Sequence, residues 1–181
     1  ISSDPADVAA VDIADSVSLV NNSAVSGAAV ALGSGVALTG EDAVLQGNSA
    51  LNGACFALLV SAYPEGVDPP EVTLQNVTMV SNVAYVGGAY FTDASEPVEL
   101  PTCDGCLLAN TAQAYGEVYG SSPVTFNVSA PVAPRSGSPL GLEVLLLDAF
   151  GQNVTAWPSV VASASCDVTG ALSGASVAAY A

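Results

Sequence analysis

The sequence predicts an all-β chain built around a parallel β-helix, and three observations carry that prediction. The first is a motif that recurs four times: an apolar residue, two variable residues, Asn, one residue, Ala, then a Gly-led apolar tetrapeptide. The copies are Leu19-Val-Asn-Asn22-Ser-Ala24 with Gly27-Ala-Ala-Val30, and Leu45-Gln-Gly-Asn48-Ser-Ala50 with Gly53-Ala-Cys-Phe56. Then come Met79-Val-Ser-Asn82-Val-Ala84 with Gly87-Gly-Ala-Tyr90, and Leu107-Leu-Ala-Asn110-Thr-Ala112 with Gly116-Glu-Val-Tyr119. The Asn residues are 26, 34 and 28 residues apart. Such a period marks a solenoid, whose repeats stack because none can bury its apolar face alone. The second observation is composition: Val, Leu, Thr and Tyr punctuated by Gly and Asn read as strands and turns. The third is the lack of long 3.6-residue stripes with charged outer faces, which helices would need.

Taken in order, residues 1–15 form an N-terminal cap or connection containing Asp4, Asp7, Asp12 and Asp15. Residues 16–128 hold the repeats. Val30-Ala-Leu32 and Val36-Ala-Leu38 alternate as strands with one face inward. Asn22, Asn48, Asn82 and Asn110 read as a structural ladder at one corner of each coil. There Asn can sit in a left-handed backbone or bridge its own backbone, and stacked amides can bond to one another along the axis. Gly27, Gly53, Gly87 and Gly116 supply the next corner, where φ is positive or backbones approach closely. Residues 129–139, including Ser129-Ala-Pro-Val-Ala-Pro134, read as a Pro-rich linker. Residues 140–181 read as a partial β-sandwich. Its strand is Leu140–Leu146, its turn Asp148–Asn153 and its returning strand Val154–Trp157, with short strands at Val160–Ala162 and Ala171–Tyr180.

The paired tetrapeptides resemble the Gly-Gly-Ala-Ile and Phe-x-x-Asn repeat signature of the polymorphic outer-membrane proteins of chlamydiae. Similar repeats occur in large secreted proteins of algae and other protists. Gly87-Gly-Ala-Tyr90 carries the likeness most clearly, and the other Gly-led copies follow it more loosely. The first position is Leu or Met in place of Phe, and one copy alone has Gly-Gly. The resemblance implies a right-handed parallel β-helix on a cell surface, with adhesion or assembly roles. After the linker, Pro139-Leu140, Val144-x-Leu-x-Asp148-x-Phe150-Gly151 and Trp157 resemble the start of an immunoglobulin-like module. A full sandwich takes roughly 100 residues, so the rest of the module is expected outside this chain. The chain begins at Ile1 without Met, which reads as a piece of a longer protein or only its ordered part.

Charge narrows the function classes. The chain has seventeen acidic residues, one Arg, no Lys and no His, for a net charge of −16. Nucleic acid and anionic membranes require Lys and Arg clusters, so neither is an expected partner. No stretch reads as a membrane-spanning helix, since Ser26, Gly27, Gly33, Ser34 and Gly35 interrupt the most apolar segment. Four Asn-x-Ser/Thr sequons, at Asn21, Asn76, Asn127 and Asn153, point to an extracellular or cell-surface glycoprotein carrying N-glycans. In an exported chain, the pair Cys103-Asp-Gly-Cys106 reads as a local disulfide. Cys55 reads as a buried apolar residue or a partner for one of these two, and Cys166 as pairing beyond this chain.

No catalytic residues are expected. Without His there is no Ser-His-Asp or Cys-His site, and the one Arg, Arg135, lies in the linker. Glu65, Asp68 and Glu71, and then Asp93, Glu96 and Glu99, cluster beside Pro residues. They read as solvated loop acids, with weak calcium chelation as the alternative and no other cofactor. The expected function is a structural segment of a surface filament or coat, which associates with itself or with other surface glycoproteins. The alternative is an adhesin that binds glycan or protein through the two insertion loops, where Tyr63, Tyr115 or Tyr119 would stack on sugars.

Overall fold

The computed structural model describes residues 9–13, 16–60, 68–95, 99, 101–129 and 143–157. These residues form an all-β structure of sixteen strands. In chain order, the first repeat supplies β1 (Ala9–Ile13), β2 (Ser18–Val20), β3 (Ser23–Ser26) and β4 (Val30–Gly33). The second supplies β5 (Val36–Glu41), β6 (Val44–Gln46), β7 (Ser49–Asn52) and β8 (Phe56–Leu59). The third supplies β9 (Glu71–Gln75), β10 (Thr78–Val86) and β11 (Tyr90–Thr92). The fourth supplies β12 (Thr102–Asp104), β13 (Leu107–Tyr115) and β14 (Tyr119–Ser121). Last come β15 (Pro123–Ser129) and β16 (Glu143–Asp148).

Each repeat adds strands to the same three parallel sheets. One sheet is ordered β1-β5-β9-β12 and another β4-β8-β11-β14. In the third, β10 pairs with β6, β7 and β13, while β2 and β3 pair with β6 and β7. Parallel pairing in register puts like residues over like. Leu19, Leu45, Met79 and Leu108 form one inward column. Leu45 and Met79 are fully buried in the middle of it, whereas Leu108 at its end is 37% exposed. Val30, Phe56, Tyr90 and Tyr119 form another, with the Phe56 and Tyr90 rings stacked at 5.4 Å. Leu38, Val72 and Leu74 complete the main core. Burying such side chains contributes roughly 1.5–3 kcal/mol each.

Four expectations change. Ala9–Ile13 pairs with Val36–Gly40, so the described part of the expected cap is a sheet strand. In the fourth repeat, Met79 stands opposite Leu108 and not Leu107, which is 57% exposed. The boundary after residue 128 also moves, because β15 pairs antiparallel with β16 and leaves the parallel sheets after Ser121. The turn after β16 closes with a single bridge, Leu147 to Asn153, and Val154–Trp157 forms no strand. That segment folds back over the last repeat instead. Trp157 meets Tyr115 at 6.4 Å, and Thr155 Oγ1 donates to Ala114 O at 2.9 Å. Ala130–Pro139, the strands expected at Val160–Ala162 and Ala171–Tyr180, Arg135 and Cys166 lie outside the described residues.

Candidate functional site

The most specific polar arrangement is the row of Asn side chains. Asn22, Asn48, Asn82 and Asn110 occupy one register position in successive repeats. Asn22 Nδ2 donates to Asn48 Oδ1 at 3.0 Å, Asn48 Nδ2 to Asn82 Oδ1 at 2.9 Å and Asn82 Nδ2 to Asn110 Oδ1 at 2.7 Å. Each oxygen also accepts the backbone N–H of the previous Asn, at 2.9, 2.8 and 3.3 Å. The second amide hydrogen reaches backward: Asn48 Nδ2 donates to Leu19 O and Asn82 Nδ2 to Leu45 O, both at 2.9 Å. Asn48 and Asn82 are fully buried, so these bonds replace the water that the amides and strand ends lose.

The row does not use the left-handed alternative at the Asn residues themselves. None of the four Asn residues has positive φ; the residue before each one does, in three repeats: Asn21 (56°), Gly47 (65°) and Ser81 (57°). In the fourth repeat, Ser81 and Asn82 together face Asn110 alone, so the corner residue is missing. The longer 3.3 Å bond fits this loss, as does the buried Asn110 Nδ2, which has no hydrogen-bond partner. A second left-handed column escaped the sequence reading. Ser16 (67°), Asp42 (50°), Asn76 (53°) and Gly105 (65°) share one register position. A small or turn-forming residue ahead of each ladder Asn was the available signal. The glycine corner has the expected form: Gly27, Gly53, Gly87 and Gly116 all have φ between 59° and 73°. A Cβ at any of the four would collide with the carbonyl oxygen three residues on.

Cys103 and Cys106 form a disulfide, and Cys55 is a buried free thiol. Burial pushes the Cys55 thiol up to about 12. Burial also raises the Tyr90 hydroxyl, with Cys55 adding to the effect. Asp148, read from sequence as a turn residue and a landmark of the immunoglobulin-like likeness, is a buried cap on β14. It accepts from the backbone N–H groups of Ser121 (3.1 Å), Phe150 (3.0 Å) and Gln152 (2.8 Å). Its place in Asp-x-x-Gly after a strand was the sequence signal.

The insertion-loop acids do not converge among the described residues. Asp68, Glu71 and Glu99 are exposed, and Asp93 Oδ1 accepts Val60 N–H at 2.5 Å. Glu65, Glu96 and Tyr63 lie outside the described residues. No group of three or more His, Cys, Asp or Glu residues that could hold a metal ion occurs among those described. Of the other two tyrosines, Tyr115 is buried and donates to Ser121 O, and Tyr119 is half-buried with its ring edge-on to Phe150 at 5.0 Å. A hollow of about 290 Å³ lies over β1, β5 and β9, with Asp12, Thr39, Glu41, Thr73 and Gln75 in its wall. Asn21, Asn76, Asn127 and Asn153 are all exposed. No helix among the described residues is long and apolar enough to cross a membrane.

No protein-family model, curated protein or solved structure matches the chain.

Proposed function

We propose that this chain is a non-catalytic structural segment of an extracellular or cell-surface glycoprotein that contributes to a filament or coat. On this reading the three parallel sheets are the faces of a right-handed parallel β-helix. The hairpin β15–β16 then begins an immunoglobulin-like sandwich. The observation that carries the reading is the amide row. Its bonds run along the stacking direction from repeat to repeat, so its chemistry serves cohesion and offers no converging groups to a substrate. The resemblance to the repeats of chlamydial and algal surface proteins supports the same assignment. So do the sequons and the local disulfide, which belong in an oxidising compartment. Weak calcium binding remains a minor role proposed for the loop acids, tested by a melting curve with and without chelator.

The second reading is an adhesin that binds glycan or protein through the two insertion loops. Sedimentation of purified native material distinguishes the two. Large species support the structural segment. A monomer at high concentration that binds a defined glycan saturably in calorimetry supports the adhesin.

A further inference from the structure

We infer that Asn21 and Asn76 are the N-glycosylated positions of this chain, and that Asn127 and Asn153 are not; this rests on the exported reading above. All four are sequons with exposed Asn, so sequence and exposure leave them equal. The fold separates them by backbone and by the hydroxyl two residues on, which a glycosyl transferase must read. Asn21 and Asn76 are corner residues with positive φ, so each projects from a bend. Each carboxamide has a place against the next repeat. Asn21 Oδ1 lies where a Cβ on Gly47 would stand, and Asn76 Oδ1 does the same at Gly105. The glycine leaves room for the amide oxygen, and the amide nitrogen makes no hydrogen bond among the described residues. The sequon hydroxyls, on Ser23 and Thr78, also make none.

The other two sequons are engaged. Asn127 sits inside β15 opposite Leu145, and its sequon hydroxyl, Ser129 Oγ, donates to Glu143 Oε2 at 3.3 Å. Asn153 bridges Leu147, and its sequon hydroxyl, Thr155 Oγ1, donates to Ala114 O at 2.9 Å. Only the corner sequons therefore present a free amide and a free hydroxyl both before and after folding. The donor is an oligosaccharide linked to a lipid pyrophosphate. Asn Nδ2 attacks its anomeric carbon, forming the N–C bond. The C–O bond to pyrophosphate breaks, the lipid pyrophosphate leaves with the electron pair, and Nδ2 gives one proton to a base of the transferase. The two corners flank one face, formed by β2, β6 and the first half of β10. Glycans there keep that side free of neighbouring molecules and leave the other two faces for contact.

The test is secretion of the full chain from a glycosylating eukaryotic host, followed by enzymatic deglycosylation in 18O water and peptide mass spectrometry. The expected result is 18O-labelled Asp at positions 21 and 76 and unlabelled Asn at 127 and 153. S23A and T78A each remove one glycan from the intact mass, and T78S restores it. Unlabelled Asn at 21 and 76, or labelling at 127 or 153 equal to that at the corners, overturns the assignment. Labelling of wild-type protein decides the matter even where a variant fails to fold. Fibres with unlabelled corners would overturn this inference alone, whereas labelled corners on a stable monomer would overturn the filament reading alone.

Discussion

At the scale of single residues, the position of an Asn in the row decides what it is worth. Asn82 accepts from Asn48 and donates to Leu45 O and Asn110 Oδ1 while fully buried. Asn82→Ala leaves those groups without partners and should cost about 2–3 kcal/mol in denaturant unfolding. Asn22, exposed at the end of the row, keeps access to water. Asn22→Ala should cost under about 1 kcal/mol by the same reasoning. Equal losses at both sites would mean the row adds nothing beyond local turn geometry. Cys55 offers a second test. Its thiol pKa is raised from 9.0 to about 12 in the folded chain, so the folded state holds its proton where the unfolded chain has lost it. Its contribution is intact below pH 9 and is lost as the pH rises from 9 towards 12, by up to about 1.4 kcal/mol per pH unit. Stability measured across that window should fall, and Cys55→Ala should flatten the fall. The four Asn were legible because they repeat with a fixed apolar partner. Their backbone role was not, since a left-handed corner one residue earlier accepts Asn, Gly or Ser and so leaves no constant letter.

At the scale of elements, the corners set where each strand ends. Gly87 has φ 66°, and a Cβ there would meet Tyr90 O and Gly120 N. Gly87→Ala should therefore cost about 2 kcal/mol or more, from the left-handed backbone together with the clash. A thermal melt unchanged by this substitution would show that the corner can rebuild itself. Successive strands such as Val30–Gly33 and Val36–Glu41 were readable from alternation around a Gly turn. The fate of Pro123–Ser129 was not. Its alternation continues that of the repeats, and only a distant partner, Glu143–Asp148, makes it antiparallel. Asp148 was legible as a turn residue from Asp-x-x-Gly, but its bond to Ser121 was not, because that partner is 27 residues away.

At the scale of the molecule, the two ends of the parallel sheets differ. Residues 148–157 cover β14 and the end of β13 through Asp148, Gln152, Thr155 and Trp157. At the other end, β1 to β4 are the outermost strands of their sheets among the described residues. Open strand edges recruit further strands, and contacts that join unlike surfaces propagate as open fibres. On the filament reading proposed above, assembly would proceed from the β1–β4 end, with the rod axis along or steeply inclined to the fibre. We propose that the stacked repeats build such an assembly, and electron microscopy of the native material tests this most directly. The expected result is fibres with a regular axial repeat into which the parallel sheets fit. Discrete monomeric particles at high concentration, with residues 1–14 alone closing the β1–β4 end, would contradict it.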